Sequence, residues 1–402
     1  MHTLHTSGIL AASLGLFITL SAPASTIHVP ADQPTIQAAI TAAIENDTIL
    51  VAPGTYHEAL NFNGKPLTLL SESGSAVTII DATGLNNRPV TIPPLIPFFK
   101  SIGPTDPATI FDGFTITGGK PLPDTSAQQF QGGGIKVVQN KLVLLNCVIS
   151  SNILALTSGQ QMSYHAYGGG IYALQSHLTL RHCTVSNNTA KGGTSGASGG
   201  GVYSVSGYLF AADSHFLSNS IPYGGGAGVG GGSGAGVYTD SSDIINCTFI
   251  SNKVDGPQAG AAGLSCANSR VTNCLISGNI LFSGTDFANP GAGVGAVSTV
   301  TFTNCTIAFN KFSGTVYPDS IGGVYGLPMI TNCIVYGNDG IQIGSFSSSS
   351  ASVNQSCVQN GFPGTGNISA DPLFIDAPNG NFHLQDNSPC RDTGDRSLLP
   401  LD

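Results

Sequence analysis

The stretch GAGVYTDSSDIINCTFISN, Gly234 to Asn252, is one copy of a pattern that runs through most of the 402-residue chain. It opens on a glycine pair followed by an apolar residue, continues as alternating strand-like sequence, and closes on Asn-Cys-x-apolar-x-x-Asn. The closing motif recurs as NCVISSN from Asn146, HCTVSNN from His182, DSHFLSN from Asp213, NCLISGN from Asn273, NCTIAFN from Asn304 and NCIVYGN from Asn332. The opening motif precedes each one: Gly-Gly-Gly-Ile at 132–135 and 168–171, Gly-Gly-Gly-Val at 199–202, Ala-Ala-Gly-Leu at 261–264, Gly-Ala-Gly-Val at 291–294 and Gly-Gly-Val at 322–324. From Cys147 to Cys357 the chain advances 210 residues in seven steps, a mean of 30. No helical periodicity lies between the motifs, so thirty residues form one coil of strands and turns.

Short alternating strands punctuated by Gly, Asn and Ser at that period predict an all-β fold, a right-handed parallel β-helix of roughly ten coils, each hydrogen-bonded to the next at about 4.8 Å. In such a stack every side chain lies on its counterpart. Cys147, Cys183, Cys247, Cys274, Cys305 and Cys333, with Ser214 in the third coil, are expected to point inward as a column of thiols. Asn146, Asn246, Asn273, Asn304 and Asn332 stand one residue earlier, where the strand must turn, and Asn tolerates the left-handed conformation that such a turn needs. These two columns are read as structural ladders, as is a third at Asn152, Asn188, Asn219, Asn252, Asn279, Asn310 and Asn338.

Composition narrows the function. The 53 glycines, 9% charged and 41% hydrophobic residues describe a folded, glycine-rich chain, and 13 basic against 22 acidic residues leave no positive stripe for nucleic acid. Residues Ile9 to Leu20 form a run of twelve that is too short to cross a bilayer, and Ala22-Pro23-Ala24 has the small-x-small form of a cleavage site. We therefore expect a signal peptide over 1–24 and an exported, monomeric chain with no integral membrane segment. The mature part, 25–402, reads as a single domain: a cap and first coil over 25–62, regular coils over 111–360 and a closing segment over 371–402. Ile36, Ile40 and Ala43–Ile44 fall at helical spacing after Pro34, which predicts an amphipathic cap helix over the open end of the solenoid.

The TIQAAI, PGTY and GKPLTLL stretches between Ile27 and Asp81, the GGGI coils and the DPLF…SPC ending together resemble secreted bacterial right-handed parallel β-helix repeat proteins of the pectin-lyase-like superfamily. The coil motif is also similar to that of chlamydial polymorphic membrane proteins. The resemblance implies the fold across nearly the whole mature chain. It implies little about activity, because this architecture hosts lyases, hydrolases, esterases and adhesins. Enzymes of the group imply signatures such as Asp-Asp with Gly-His-Gly and Arg-Ile-Lys, and these do not occur. Lyase chemistry also needs a cation against the uronate carboxylate and a base for the adjacent proton, with calcium as the cofactor in that case. Between Gly132 and Asn338 the cations are Lys136, Lys141, Arg181, Lys191, Lys253, Arg270 and Lys311, spread over many coils. No catalytic residue is assigned, and no other cofactor is expected.

Nine cysteines do not form a paired framework, and a row of thiols offers zinc no converging set of four ligands, so no metal site is expected. Cys266 with Cys274, and Cys357 with Cys390, stay open as pairs. Gly196-Ala197-Ser198-Gly199-Gly200 fits a nucleophile-elbow pattern and Gly224–Gly230 a dinucleotide pattern, both without the strand–turn–helix context that either requires. The residue after each opening motif should face outward, which stacks Tyr172, Tyr203 and Tyr238 on the outside. Tyr164 and His165 lie in the long loop between coils, where they could touch a sugar. The reading is an exported interaction module that binds a polysaccharide or a cell surface through this aromatic face. The alternatives are a polysaccharide lyase or glycoside hydrolase, and a structural spacer.

Overall fold

A computed structural model describes residues 23–94, 106–123, 129–155, 164–193, 196–223, 232–256, 260–283, 291–314, 316–345 and 351–398. The signal-peptide segment, apart from its last two residues, and the Gly224–Gly230 pattern lie outside the described residues. The chain is a parallel β-helix. Four of its five sheets are entirely parallel, and the fifth is a small antiparallel hairpin. The strands that follow the thiols form an 11-stranded sheet, so the described residues make eleven coils, in line with the roughly ten expected. The longest sheet, with 20 strands, takes two successive strands from most coils, such as Ile171–Leu174 and His177–Arg181.

Three ladders hold the coils in register. In the innermost, Asn252 accepts the Asn219 backbone N–H at 3.0 Å and donates through Nδ2 to the Phe216 carbonyl at 2.9 Å and to Asn279 Oδ1 at 2.9 Å. The same set recurs from Asn152 to Asn338, where Gln342 receives the last amide. All seven are buried. This ladder also explains the opening motif. A Cβ on Gly201 would lie 2.6 Å from the Gly236 carbonyl and 3.0 Å from the Asn219 amide, so the third glycine is set by close approach to the ladder.

The second ladder is the thiol column. Each column thiol donates to the carbonyl two residues back, as Cys274 does to Thr272 at 3.2 Å, and the sulfurs of Cys274 and Cys333 accept the backbone N–H of the coil before, Cys333 from Cys305 at 3.3 Å. Ser214 repeats both bonds, to Ala212 and from Cys183. A hydroxyl replaces the thiol because the slot is a hydrogen-bonding turn as well as a small apolar space. Burial pushes the Cys183 thiol up to about 11 and that of Cys266 up to about 12. The six column thiols and Cys266 are all buried, so in the folded protein they should resist a thiol reagent at pH 8 for hours and react at once in denaturant. Rapid labelling without denaturant would contradict this packing.

The third column differs from its expected form. Asn146, Asn246, Asn273, Asn304 and Asn332 do adopt positive φ, between 52° and 55°. Their side chains, however, lie at the outer rim and not in a buried amide stack. Asn146 donates to Asp112, Asn246 to Asp213, and Asn332 to Asn304. Residues at left-handed turns on the outside of a coil point to solvent, and the Asp and His substitutions at 213 and 182 fit that exposure.

The cap helix spans Ile36–Ala42 and buries Ile36, Ala39 and Ile40 on the first coil, while Ile44 lies past its end and is exposed. The coil beneath it supplies charge to both of its ends. The Glu58 carboxylate accepts the Ile36 and Gln37 N–H groups, and Lys65 Nζ donates to the Ile40, Thr41 and Ala43 carbonyls. Asp47 accepts the Ser25 and Ile44 N–H groups, which hold its carboxyl below the usual range. A depressed carboxyl stabilises the fold above the ordinary value and loses that contribution as the pH falls. The N-terminal coil should therefore loosen below about pH 4. Asp47→Asn should abolish that acid dependence in circular-dichroism melts, and a wild-type midpoint that is flat from pH 6 to 3 would contradict it.

At the far end, residues 359–370 lie across the last coil. Asn367 accepts the Ser356 N–H and donates to the Val353 carbonyl, and Ile368 accepts from Val358. The remaining segment does not cover that end. It turns back along the flank, where its hairpin, Phe374–Asp376 with Asn381–Leu384, packs Phe374 and Phe382 on Phe309. Asp395 and Leu398 then bond to the rim residues Asn332 and Asn304.

Candidate binding face

The longest sheet turns its outer side to solvent between coils four and eight, and two rows of side chains meet there at a corner marked by positive φ at Gln139, Gln175 and Ser206. The first row is the tyrosine series. Register places Lys136 beside Tyr172, Tyr172 beside Tyr203, and Tyr203 beside Tyr238. The Tyr172 and Tyr203 rings stack at 5.6 Å and 3°, those of Tyr203 and Tyr238 at 5.2 Å and 14°. The expected stack is present, but its exposure is uneven. Tyr172 is only 3% exposed, whereas Tyr203 and Tyr238 are half-buried.

The cover comes from the inter-coil loops, which are not simply loops. The loop from Ile153 leaves as the strand Ile153–Ala155 and returns as His165–Tyr167, and the arms of successive coils pair in register into sheets of six and four strands. A second apolar core lies between these sheets. Tyr164 belongs to it, buried with its ring edge-on to Phe130 at 5.5 Å, and so is not a surface ligand contact. His165 is half-buried and stacks on Tyr167 at 5.6 Å, and Tyr167 in turn lies 4.6 Å from Tyr203. One aromatic ribbon thus joins His165, Tyr167, Tyr203 and Tyr238, with Tyr172 at its base. Burial and its tyrosine neighbours push the Tyr172 phenol up to about 12 and raise that of Tyr203, so both keep their protons and remain donors at neutral pH.

The second row lies past the corner. His177 stands beside Lys141 and Tyr208, and Asp243 beside Arg270 in the next coil. Tyr208 Oη donates to Asp243 Oδ2 at 2.5 Å, and Arg270 Nη2 donates to the same oxygen at 2.6 Å. Desolvation and the bond to Asp243 push the Tyr208 phenol up to about 12. The Arg270 side chain is 72% exposed, so the rest of its guanidinium fork faces solvent. Arg181 lies 4.5 Å over the Phe210 ring in the same sheet. The trio of Tyr208, Asp243 and Arg270 was missed from the sequence, where the cations appeared scattered. A signal was there. Asp243 and Arg270 each stand four residues before a column cysteine, which is an outward position shared by adjacent coils.

Position also sorts the cations. Lys136, Lys141, Arg181 and Arg270 lie on this sheet, whereas Lys191, Lys253 and Lys311 lie on the six-stranded sheet of the arms. Four of the seven between Gly132 and Asn338 therefore share the face with the aromatic ribbon. Among the described residues no three His, Cys, Asp or Glu side chains converge as metal ligands, and no helix is long and apolar enough to cross a membrane.

No family model matches the chain, and no curated protein matches it. Among solved structures it is similar to pectate lyase Pel9A, at 14% identity over 88% of this chain and 84% of that one, with a TM-score of 0.44. It is also similar to the pectin methylesterase from carrot, at 13% identity over 82% of this chain and 90% of that one, with a TM-score of 0.32. The Azotobacter vinelandii mannuronan C-5 epimerase AlgE6 A-module matches at 14% identity over 84% of this chain and 95% of that one, with a TM-score of 0.33. The stacked all-parallel sheets are those of a parallel β-helix. No residue is carried over from these proteins.

Proposed function

We propose that this chain is an exported binding module that holds an extended polysaccharide, free or on a cell surface, along the outer face described above. The reading rests on one observation: Tyr203 and Tyr238 share their sheet with four of the seven central cations, and His165 and Tyr167 extend the aromatic ribbon from the adjoining four-stranded sheet. Coils about 4.8 Å apart present these groups at nearly the spacing of sugar residues in an extended glycan. Stacked tyrosines show their hydroxyl edges to solvent, where protonated phenols bond sugar hydroxyls, and Arg270 and Lys141 favour glycans that carry carboxylates. The ligand class is thus an acidic polysaccharide.

Catalysis on such a polysaccharide is the second reading, and the phenol, carboxylate and guanidinium of Tyr208, Asp243 and Arg270 favour it. An array of acidic and neutral glycans, probed with wild type, Tyr238→Ser and Arg270→Ala, tests the proposal. We expect binding to acidic glycans and a loss of about tenfold, equal to about 1.4 kcal/mol, in either variant. Shortened or unsaturated products would favour the enzyme, and a wild type that binds nothing would leave the spacer.

A further inference from the structure

We propose that Cys357 and Cys390 form a disulfide that fastens the folded-back C-terminal segment to the last coil. The argument begins with a one-residue offset. In every earlier coil the column residue follows the left-handed turn directly, and in the last coil that position belongs to Ser356. Its hydroxyl donates to the Asn354 carbonyl and accepts the Cys333 N–H, the two bonds of a column thiol. Cys357 is therefore not in the column, although it continues the cysteine spacing. It pairs with Ile334, in a row that faces away from the main core in the coils before it.

The folded-back segment covers that outward side, and Cys390 comes with it. The two thiols line one cleft of about 350 Å³ between the last coils and residues 390–396. The chain around each is fixed. Cys357 Sγ lies 3.1 Å from the Ala370 carbonyl, and Ser388 Oγ accepts the Cys390 N–H while donating to the Pro372 carbonyl. Cys390 is the half-buried cysteine of the nine, and the other eight are buried. Seven thiols thus serve the coils, and two line one cleft between the stack and its tail.

The oxidant is a low-molecular-weight disulfide of the glutathione type. The Cys390 thiolate attacks one sulfur of that disulfide, forms a mixed disulfide and releases one thiol. The Cys357 thiolate then attacks Cys390 Sγ and expels the second. Two protein thiols lose two protons and two electrons, and one small disulfide becomes two small thiols.

The test uses the full-length chain equilibrated with oxidised glutathione, alkylated in denaturant and cut before aspartate without reduction. We expect peptide 339–370 joined to peptide 386–391, with the seven other cysteines alkylated. We also expect proteolysis within residues 371–398 to run about tenfold slower in the oxidised than in the reduced protein. Cys390→Ser should cleave at one rate in both conditions, and Cys357→Ala provides the same check from the coil side. Full alkylation of Cys357 and Cys390 after oxidation, a cross-link to a column cysteine, or redox-insensitive proteolysis of the wild type would each overturn the proposal.

Discussion

Asn252→Ala is expected to lower stability by about 3–5 kcal/mol, because four buried hydrogen bonds are lost together. The Asn219 N–H and the Asn219 amide both end on Asn252 Oδ1, and the Phe216 carbonyl receives its Nδ2. Alanine supplies none of these bonds, and the site has no exposure to solvent. Because each coil touches only its neighbours, the damage falls at the two interfaces that Asn252 bridges and uncouples the two halves of the stack. Denaturant unfolding should show an earlier and broader transition. Asn246→Gly is the control, since it keeps a residue that accepts a φ of 53° and gives up only the rim bond to Asp213. Its midpoint should stay within about 1 kcal/mol of wild type. Equal losses in the two variants would contradict the division of labour between the columns.

Phe249→Ala should cost about 3–5 kcal/mol for a different reason. Phe216 and Phe249 are fully buried and stack across adjacent coils at 4.8 Å and 12°, within a row that is otherwise aliphatic, Val185 before them and Ile276 after. Removal of one ring leaves a cavity that two rigid coils cannot close. Phe249→Leu refills most of it and should cost less than about 1.5 kcal/mol. Thermal melts of the pair check this, and a Leu variant as unstable as the Ala variant would show that ring stacking, not volume, governs the row.

The coil was legible because its motif combines two signals of different origin. A left-handed turn selects Asn, and the slot after it selects a small hydrogen-bonding side chain. Their recurrence near thirty residues leaves no other architecture. The relative weight of the two asparagine columns was not legible. Both repeat equally well, and only the sense in which the chain curls puts Asn252 inside and Asn246 at the rim. Cys357 continues the cysteine spacing but is not among the column residues read from the sequence, and Ser356 fills the slot there.

The binding face was half visible. Alternation gave the tyrosine row, since parity along a strand is a local property. What covers Tyr172, and why Tyr164 is buried, depends on the arms, whose strands of two to four residues are too short to carry a period. Those arms exist because neighbouring loops run side by side and pair with one another. The Asp243–Arg270 contact needed only parity and a count back from the thiols, so it was within reach of the sequence.

The affinity of the full-length protein for a length series of the acidic oligosaccharide selected on the array tests the binding face most directly. The account predicts that affinity rises with each added sugar until the ligand spans the coils from Lys136 to Arg270, then levels off, and that Arg270→Ala and Tyr238→Ser flatten the rise. Affinity independent of length, or a rise unchanged in both variants, would contradict it.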